Sequence, residues 1–252
     1  MQLSLNSLLG IVAIVLLLTG CGGQPPTAQT SDAGYDFPTK PGTDAWKQLA
    51  SRQEMLQAVQ IPEATLEAMS TKALVETVLK YPLFGDMLAH LQIQDGVDAV
   101  AKDFNGLAAL FEREDAGREL LARYQTMNPA AIDASWTIEQ QGQYDAQFTA
   151  IEMLLAQEAI LKQLSSEEMR ELLTEATAKM EAKQQYLEIY GAFGQERTAL
   201  VMARGLQQTA ADLPCFATLK AEPEVTAFLE HATTVSTVAT EQIANCTQQF
   251  LK

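Results

Sequence analysis

The sequence predicts an all-α multi-helix bundle, with short helices in its N-terminal half and longer ones in its C-terminal half. Two observations carry this. Apolar residues recur at steps of three, four and seven almost throughout, and no stretch alternates as a half-buried strand does. Helix starts are also marked by Ser, Thr, Asp or Pro at the expected positions, and ends by Gly or Asn-Pro.

The chain has 252 residues and a formal net charge of −15. Its first hydrophobic run, Leu8 to Leu18, carries no charge. That is shorter than the roughly 18 apolar residues of a spanning helix and suits the core of a secretory signal. No Lys or Arg precedes it, so only the amino terminus supplies the usual positive charge. The stretch from Cys21 onward, Gly-Gly-Gln-Pro-Pro-Thr-Ala-Gln-Thr-Ser, has too little apolar content to order itself. It reads as a tether to about Gly42. The expected organisation is therefore a signal at 1–20, a tether at 21–42 and a helical domain at 43–252, divisible into sub-lobes 43–128 and 129–252.

Within the domain, Thr43 or Asp44 caps a helix carrying Trp46, Leu49, Met55, Leu56 and Val59. Pro62-Glu63 starts a short helix with Leu66 and Met69, since Pro suits a first turn and Glu the positive end of the dipole. Ser70 caps the next, with Leu74, Val75, Val78 and Leu79. Pro82 interrupts, and Leu83, Phe84, Met87, Leu88 and Leu91 resume the pattern. A helix opening near Asp95 carries Val97, Val100, Phe104, Leu107, Leu110 and Phe111. Another runs from about Asp115 through Leu120, Leu121 and Tyr124 to Asn128-Pro129. Helices this short are stable only when packed together.

From about Gln143 the helices lengthen, with a stripe of Phe148, Ile151, Leu154, Leu155 and Leu161. Ser165 and Glu168 have the spacing of a capping box. The helix they open carries Met169, Leu172, Leu173, Ala176, Met180, Leu187 and Tyr190, and Gly191 and Gly194 mark its end. The next has Leu200, Ala203, Leu206 and Ala210 and stops near Pro214. A last helix runs from Glu224 to Phe250, through Val225, Phe228, Ala232, Val235, Ala239 and Cys246.

The end of the first hydrophobic run, Leu18-Thr19-Gly20-Cys21, resembles the lipobox of bacterial lipoproteins. The resemblance implies a diacylglyceryl group on the Cys21 thiol, cleavage just before it and a mature chain anchored outside a membrane. Gly22 rather than Asp comes next, so no inner-membrane retention signal is read. A second segment, Ile61 to Tyr124, is similar to one found in other exported bacterial proteins of unknown role. It carries Met69-Ser70-Thr71-Lys72-Ala73-Leu74, Tyr81-Pro82-Leu83, Asp103-Phe104-Asn105-Gly106-Leu107 and Arg113-Glu114-Asp115-Ala116. That similarity implies no activity.

Acidity disfavours nucleic acid and anionic lipid heads as partners, so membrane attachment is expected through the lipid alone. With Cys21 lipidated, Cys215 and Cys246 remain as a pair in a disulfide-permissive setting; two small buried hydrophobes is the other reading. Asp86 and His90, four apart, are half a metal site or an ordinary surface pair. His231 is the only other histidine, and neither has Glu three residues before it, as a di-iron bundle requires. No nucleophile elbow, phosphate loop or His-Glu-x-x-His is present. Glu167, Glu168, Glu171 and Glu175 form a strip that is a cation site or, more plainly, a solvated helix start. Tyr81, Leu83, Phe84 and Met87 line a groove or belong to the core. No cofactor or metal is expected. The function expected is non-enzymatic, either protein interaction and scaffolding at the envelope or carriage of a small ligand or lipid between helices.

Overall fold

The computed structural model describes residues 34–133 and 135–252, and Cys21 with the lipobox lies outside them. The described residues hold fourteen α-helices, one 3-10 helix and no strand. The first seven are α1 (Asp44–Lys47), α2 (Arg52–Ala58), α3 (Glu63–Ala68), α4 (Thr71–Leu79), α5 (Ile93–Asp103), α6 (Asn105–Glu112) and α7 (Ala116–Gln125). The 3-10 helix Phe84–Ala89 lies between α4 and α5. The other seven are α8 (Ile138–Leu155), α9 (Glu158–Leu161), α10 (Ser166–Gln184), α11 (Leu187–Thr209), α12 (Pro214–Leu219), α13 (Pro223–His231) and α14 (Thr237–Leu251). Short helices precede long ones, as the sequence predicts.

Several boundaries differ from expectation. The single helix expected across Trp46 to Val59 is two, because Ser51 caps a new one through the backbone N–H of Glu54. The helix expected from Gln143 begins at Ile138, held by a capping box of Thr137 and Gln140. The box at Ser165 and Glu168 forms as predicted. The helix it opens ends at Gln184, and Leu187 is exposed. Gly191 sits inside α11 with φ 56 and ψ −167, a conformation open essentially to glycine alone, and kinks that helix. The expected last helix is also two. Ala232 ends α13 in a left-handed conformation, and Ser236 caps α14.

The core explains the arrangement. In α8 every residue from Phe148 to Leu155 is buried, and in α11 Ala199 to Ala203 are fully buried. Helices apolar on all sides sit at the centre. Accordingly α8, α10 and α14 all pack on α11. In the first half α4 packs against α6 and α7, and α5 against α6 and the 3-10 helix. Gly96 permits that last approach, since a Cβ there would overlap the Met87 carbonyl. Helix α7 joins the halves by touching α8, α9 and α10, and the apolar cluster runs unbroken from Phe37 to Cys246.

The packed chain begins before residue 43. Phe37, within the stretch expected to be tether, is 2 % exposed. Its ring meets Tyr81 and Phe104, which stack 3.9 Å apart. Tyr81, Leu83, Phe84 and Met87 are therefore core, not a groove.

Cys215 and Cys246 are disulfide-bonded, with Cα atoms 5.9 Å apart. Cys215 lies in the first turn of α12 rather than in a loop, so the bond staples α12 to α14.

Candidate functional site

Two polar centres are built on the long helices, each completed by a residue of the first half, Tyr124 in one and Gln94 in the other. The first is fully enclosed. Lys183 of α10 and Glu152 of α8 are both 0 % exposed. The ammonium donates to Glu152 Oε2 at 2.7 Å and Oε1 at 2.9 Å, to Thr198 Oγ1 at 3.0 Å and to the Gly194 carbonyl at 3.1 Å. Tyr124 donates its hydroxyl to Glu152 at 2.8 Å. Burial, then Glu152, hold the Tyr124 phenol well above its ordinary range. The rings of Phe148 and Tyr190 lie 5.0 and 5.5 Å from the ammonium. With both charges satisfied and no opening to solvent, this centre ties α7, α8, α10 and α11 together.

Asp145 stands beside it. Its Oδ1 is buried without a partner among the described residues. Burial pushes its carboxyl up to about 6, with Lys183 opposing and Glu152 reinforcing.

The second centre is open. A cleft of about 570 Å³ lies where the start of α5, the α8–α9 turn, the end of α11 and the end of α13 meet. Arg204 of α11 is its fixed point. Nε donates to the Leu229 carbonyl at 2.9 Å; Nη1 donates to Gln94 Oε1 at 2.8 Å and to the Ala156 carbonyl at 3.1 Å. Nη2 has only a 3.5 Å contact with the Glu230 carbonyl. Leu229 and Glu230 stand in the last turn of α13, and Ala156 caps α8, so Arg204 neutralises the negative ends of two helix dipoles.

One heptad earlier Arg197, 0 % exposed, does the same beyond α13, donating to the carbonyls of Ala232 and Thr233 at 3.1 and 3.4 Å. Burial lowers both guanidinium pKa values; that of Arg204 is pushed down to about 10, with Arg197's charge adding to burial.

Glutamines continue the order. Gln94 donates to Gln157 Oε1 at 2.8 Å and to Asp98 at 2.9 Å, and Gln157, only 6 % exposed, donates to the Met153 carbonyl at 2.7 Å. The chain Arg204–Gln94–Gln157–Met153 is thus settled before any ligand arrives. Gln207, Gln208, Glu158 and Glu230 are exposed along the walls, over a floor that includes Leu161 and Leu229.

The histidines do not enter either centre. His90 comes after the 3-10 helix in extended conformation and is exposed. Asp86 pairs with Arg52 instead, so the expected helical pair of Asp86 and His90 does not form. His231 Nε2 is 3.7 Å from Glu230 Oε2, beyond hydrogen-bonding reach. The acidic strip is divided: Glu168 completes the capping box, Glu171 accepts from Gln125, and Glu175 pairs with Lys179. No group of three or more metal-ligating side chains occurs among the described residues.

Sequence reasoning missed Lys183, Glu152, Arg197 and Arg204. The signal was present, because Lys183 falls three after Met180 on the apolar stripe of α10, and Arg197 and Arg204 frame the apolar run of α11. A charge at a core position is expensive unless partnered and so marks a buried pair. Gln94 and Gln157 carried no such signal, since exposed glutamines are common on helices. Comparison with protein-family models, with curated proteins and with solved structures finds no match to this chain.

Proposed function

We propose that this chain is a lipoprotein, held outside a membrane by a diacylglyceryl group on Cys21, and that its helical domain works by binding rather than by catalysis. Among the expected functions the geometry best supports a small-ligand binder, with the Arg204 cleft as the site. One observation carries this: an open, ligand-sized space whose polar groups are already held in place by neighbouring helix ends. Preordered groups lose little entropy when a ligand arrives. Glutamines, Arg204 and carboxylates on the walls suit a polar ligand and not a lipid tail.

Envelope scaffolding is the second reading. It is favoured by Leu91, fully exposed at the tip beyond the 3-10 helix, with Leu88 nearby at 46 %. A partner contacting this tip is its test: crosslinking from position 91 in intact cells captures a protein if scaffolding is the role and none if it is not.

Thermal-shift screening against polar small molecules tests the first reading. Compounds raising the melting temperature of the wild type should fail on Gln208→Trp, which fills the cleft; a library that stabilises neither overturns it. Anchoring is tested separately by Cys21→Ser, expected to release the protein from membranes. A Cys21→Ser chain that stays membrane-bound sinks the lipid assignment.

A further inference from the structure

The same cleft carries a narrower conclusion about ligand chemistry, one that rests on the proposed binding role. Its lining carries charges of both signs. Arg204 comes from α11, Glu158 from the start of α9 and Glu230 from the end of α13. Arg204 uses Nε and Nη1 on three short hydrogen bonds, which orients the guanidinium plane. Nη2 has two N–H groups and one 3.5 Å contact, so one N–H lacks a partner among the described residues. A desolvated guanidinium with donor capacity in hand gains most from a carboxylate.

Of the two carboxylates Glu230 is lightly engaged, with His231 at 3.7 Å, whereas Glu158 is in a direct ion pair with the exposed Lys162. Gln207 and Gln208, which line the same cleft, each carry an amide, donor and acceptor together, as a peptide group does.

We infer that the cleft binds a short zwitterionic peptide, its terminal carboxylate on Arg204, its terminal ammonium at Glu230, and its peptide groups on Gln207 and Gln208. Other ligand classes satisfy only part of the wall. A phosphate meets two carboxylates of its own sign, and a simple amine meets Arg204. A neutral sugar finds no aromatic ring to stack on. Two or three small residues are within the volume of a cleft of about 570 Å³. The small apolar floor accommodates a short side chain without selecting a large one.

Calorimetric titration of the full chain in detergent tests this with four probes: tri-alanine, N-acetyl-tri-alanine, tri-alanine amide and inorganic phosphate. Tri-alanine is expected to bind, and each blocked form and phosphate at least tenfold more weakly. Glu230→Gln should weaken tri-alanine severalfold while leaving the already weak N-acetyl form unchanged. Arg204→Lys should weaken tri-alanine and leave the amide unchanged. Because Arg204 also holds α13, amide exchange of α13 is followed in that variant. If α13 opens, the Glu230→Gln and blocked-peptide comparisons decide alone.

Blocked peptides binding as well as the free one overturn the inference, as does no heat with tri-alanine. If tri-alanine fails while another polar compound binds and is lost in Gln208→Trp, the peptide assignment falls and the cleft reading stands. If nothing binds at all, both fall.

Discussion

Lys183 shows how a single residue can hold three helices, α8, α10 and α11. Its ammonium lies in a site with no solvent and answers Glu152, Thr198 and the Gly194 carbonyl at once. Removing one member of a buried pair leaves the other uncompensated, which costs about 3–5 kcal/mol. Lys183→Met is therefore expected to lower unfolding free energy by about that much in urea titration. Adding Glu152→Leu should recover part of the loss, because the orphaned charge is gone.

Asp145 is the opposite case, a carboxylate poorly served by its surroundings. Its folded pKa is raised, so between pH 3.8 and about 6 the folded chain holds a proton that the unfolded chain has released. Stability from this group is thus present at low pH and lost as pH rises through that window. Partial exposure screens the effect, so Asp145→Asn should stabilise the protein by only about 1 kcal/mol at pH 7. It should also flatten the pH dependence between 4 and 6 in urea titrations. An unchanged slope would remove Asp145 as its source. None of this was readable from Asp145 itself, a polar residue in a polar stretch. Lys183, by contrast, stood on an apolar stripe and was legible.

Among the elements, periodicity located the helical stretches but ran α1 with α2, α5 with α6 and α13 with α14, and passed over α12. Leu49 and Leu56 keep helical spacing across Ala50-Ser51, yet the chain restarts there because Ser51 caps α2. The span Glu224 to Phe250 likewise keeps its apolar spacing through Ala232 and Val235. The run Thr233-Thr234-Val235-Ser236 breaks it, since three β-branched residues and then a capping Ser favour a turn and a new start. Spacing reports which face is buried, and it survives a break when both pieces bury the same side.

The staple between α12 and α14 joins positions 31 apart. Loop closure of that length restrains the unfolded chain by about 3–4 kcal/mol. Cys215→Ala with Cys246→Ala should lower the urea midpoint correspondingly under non-reducing conditions. The wild type in reductant should approach the same value. Equal midpoints with and without reductant in the wild type would show that the bond does not contribute.

For the whole molecule, composition indicated one helical body and left open whether residues 43–128 and 129–252 act separately. The continuous apolar cluster and the bridging α7 predict a single cooperative unit. Two tryptophans report on it, Trp46 in the first half and Trp136 in the second. Trp46→Phe and Trp136→Phe each leave one probe, and the fluorescence transitions are expected to coincide once corrected for each variant's stability. Two separate transitions would divide the molecule. The cleft belongs to this same scale, because Gln94 comes from one half and Arg204 from the other. Sequence alone could not place residues 110 apart on one wall.

Phe37 has a mechanical consequence. If the chain is moored at Cys21, sixteen positions of sequence separate the mooring from Phe37, a reach of at most about 55 Å. Tension along that stretch reaches the body first at Tyr35, whose backbone N–H donates to Thr77 Oγ1 at 2.9 Å, and next at Phe37, seated on the Tyr81–Phe104 stack. A pull is therefore taken up by a hydrogen bond to α4 and then by the buried rings of the N-terminal half, before any load comes onto α1.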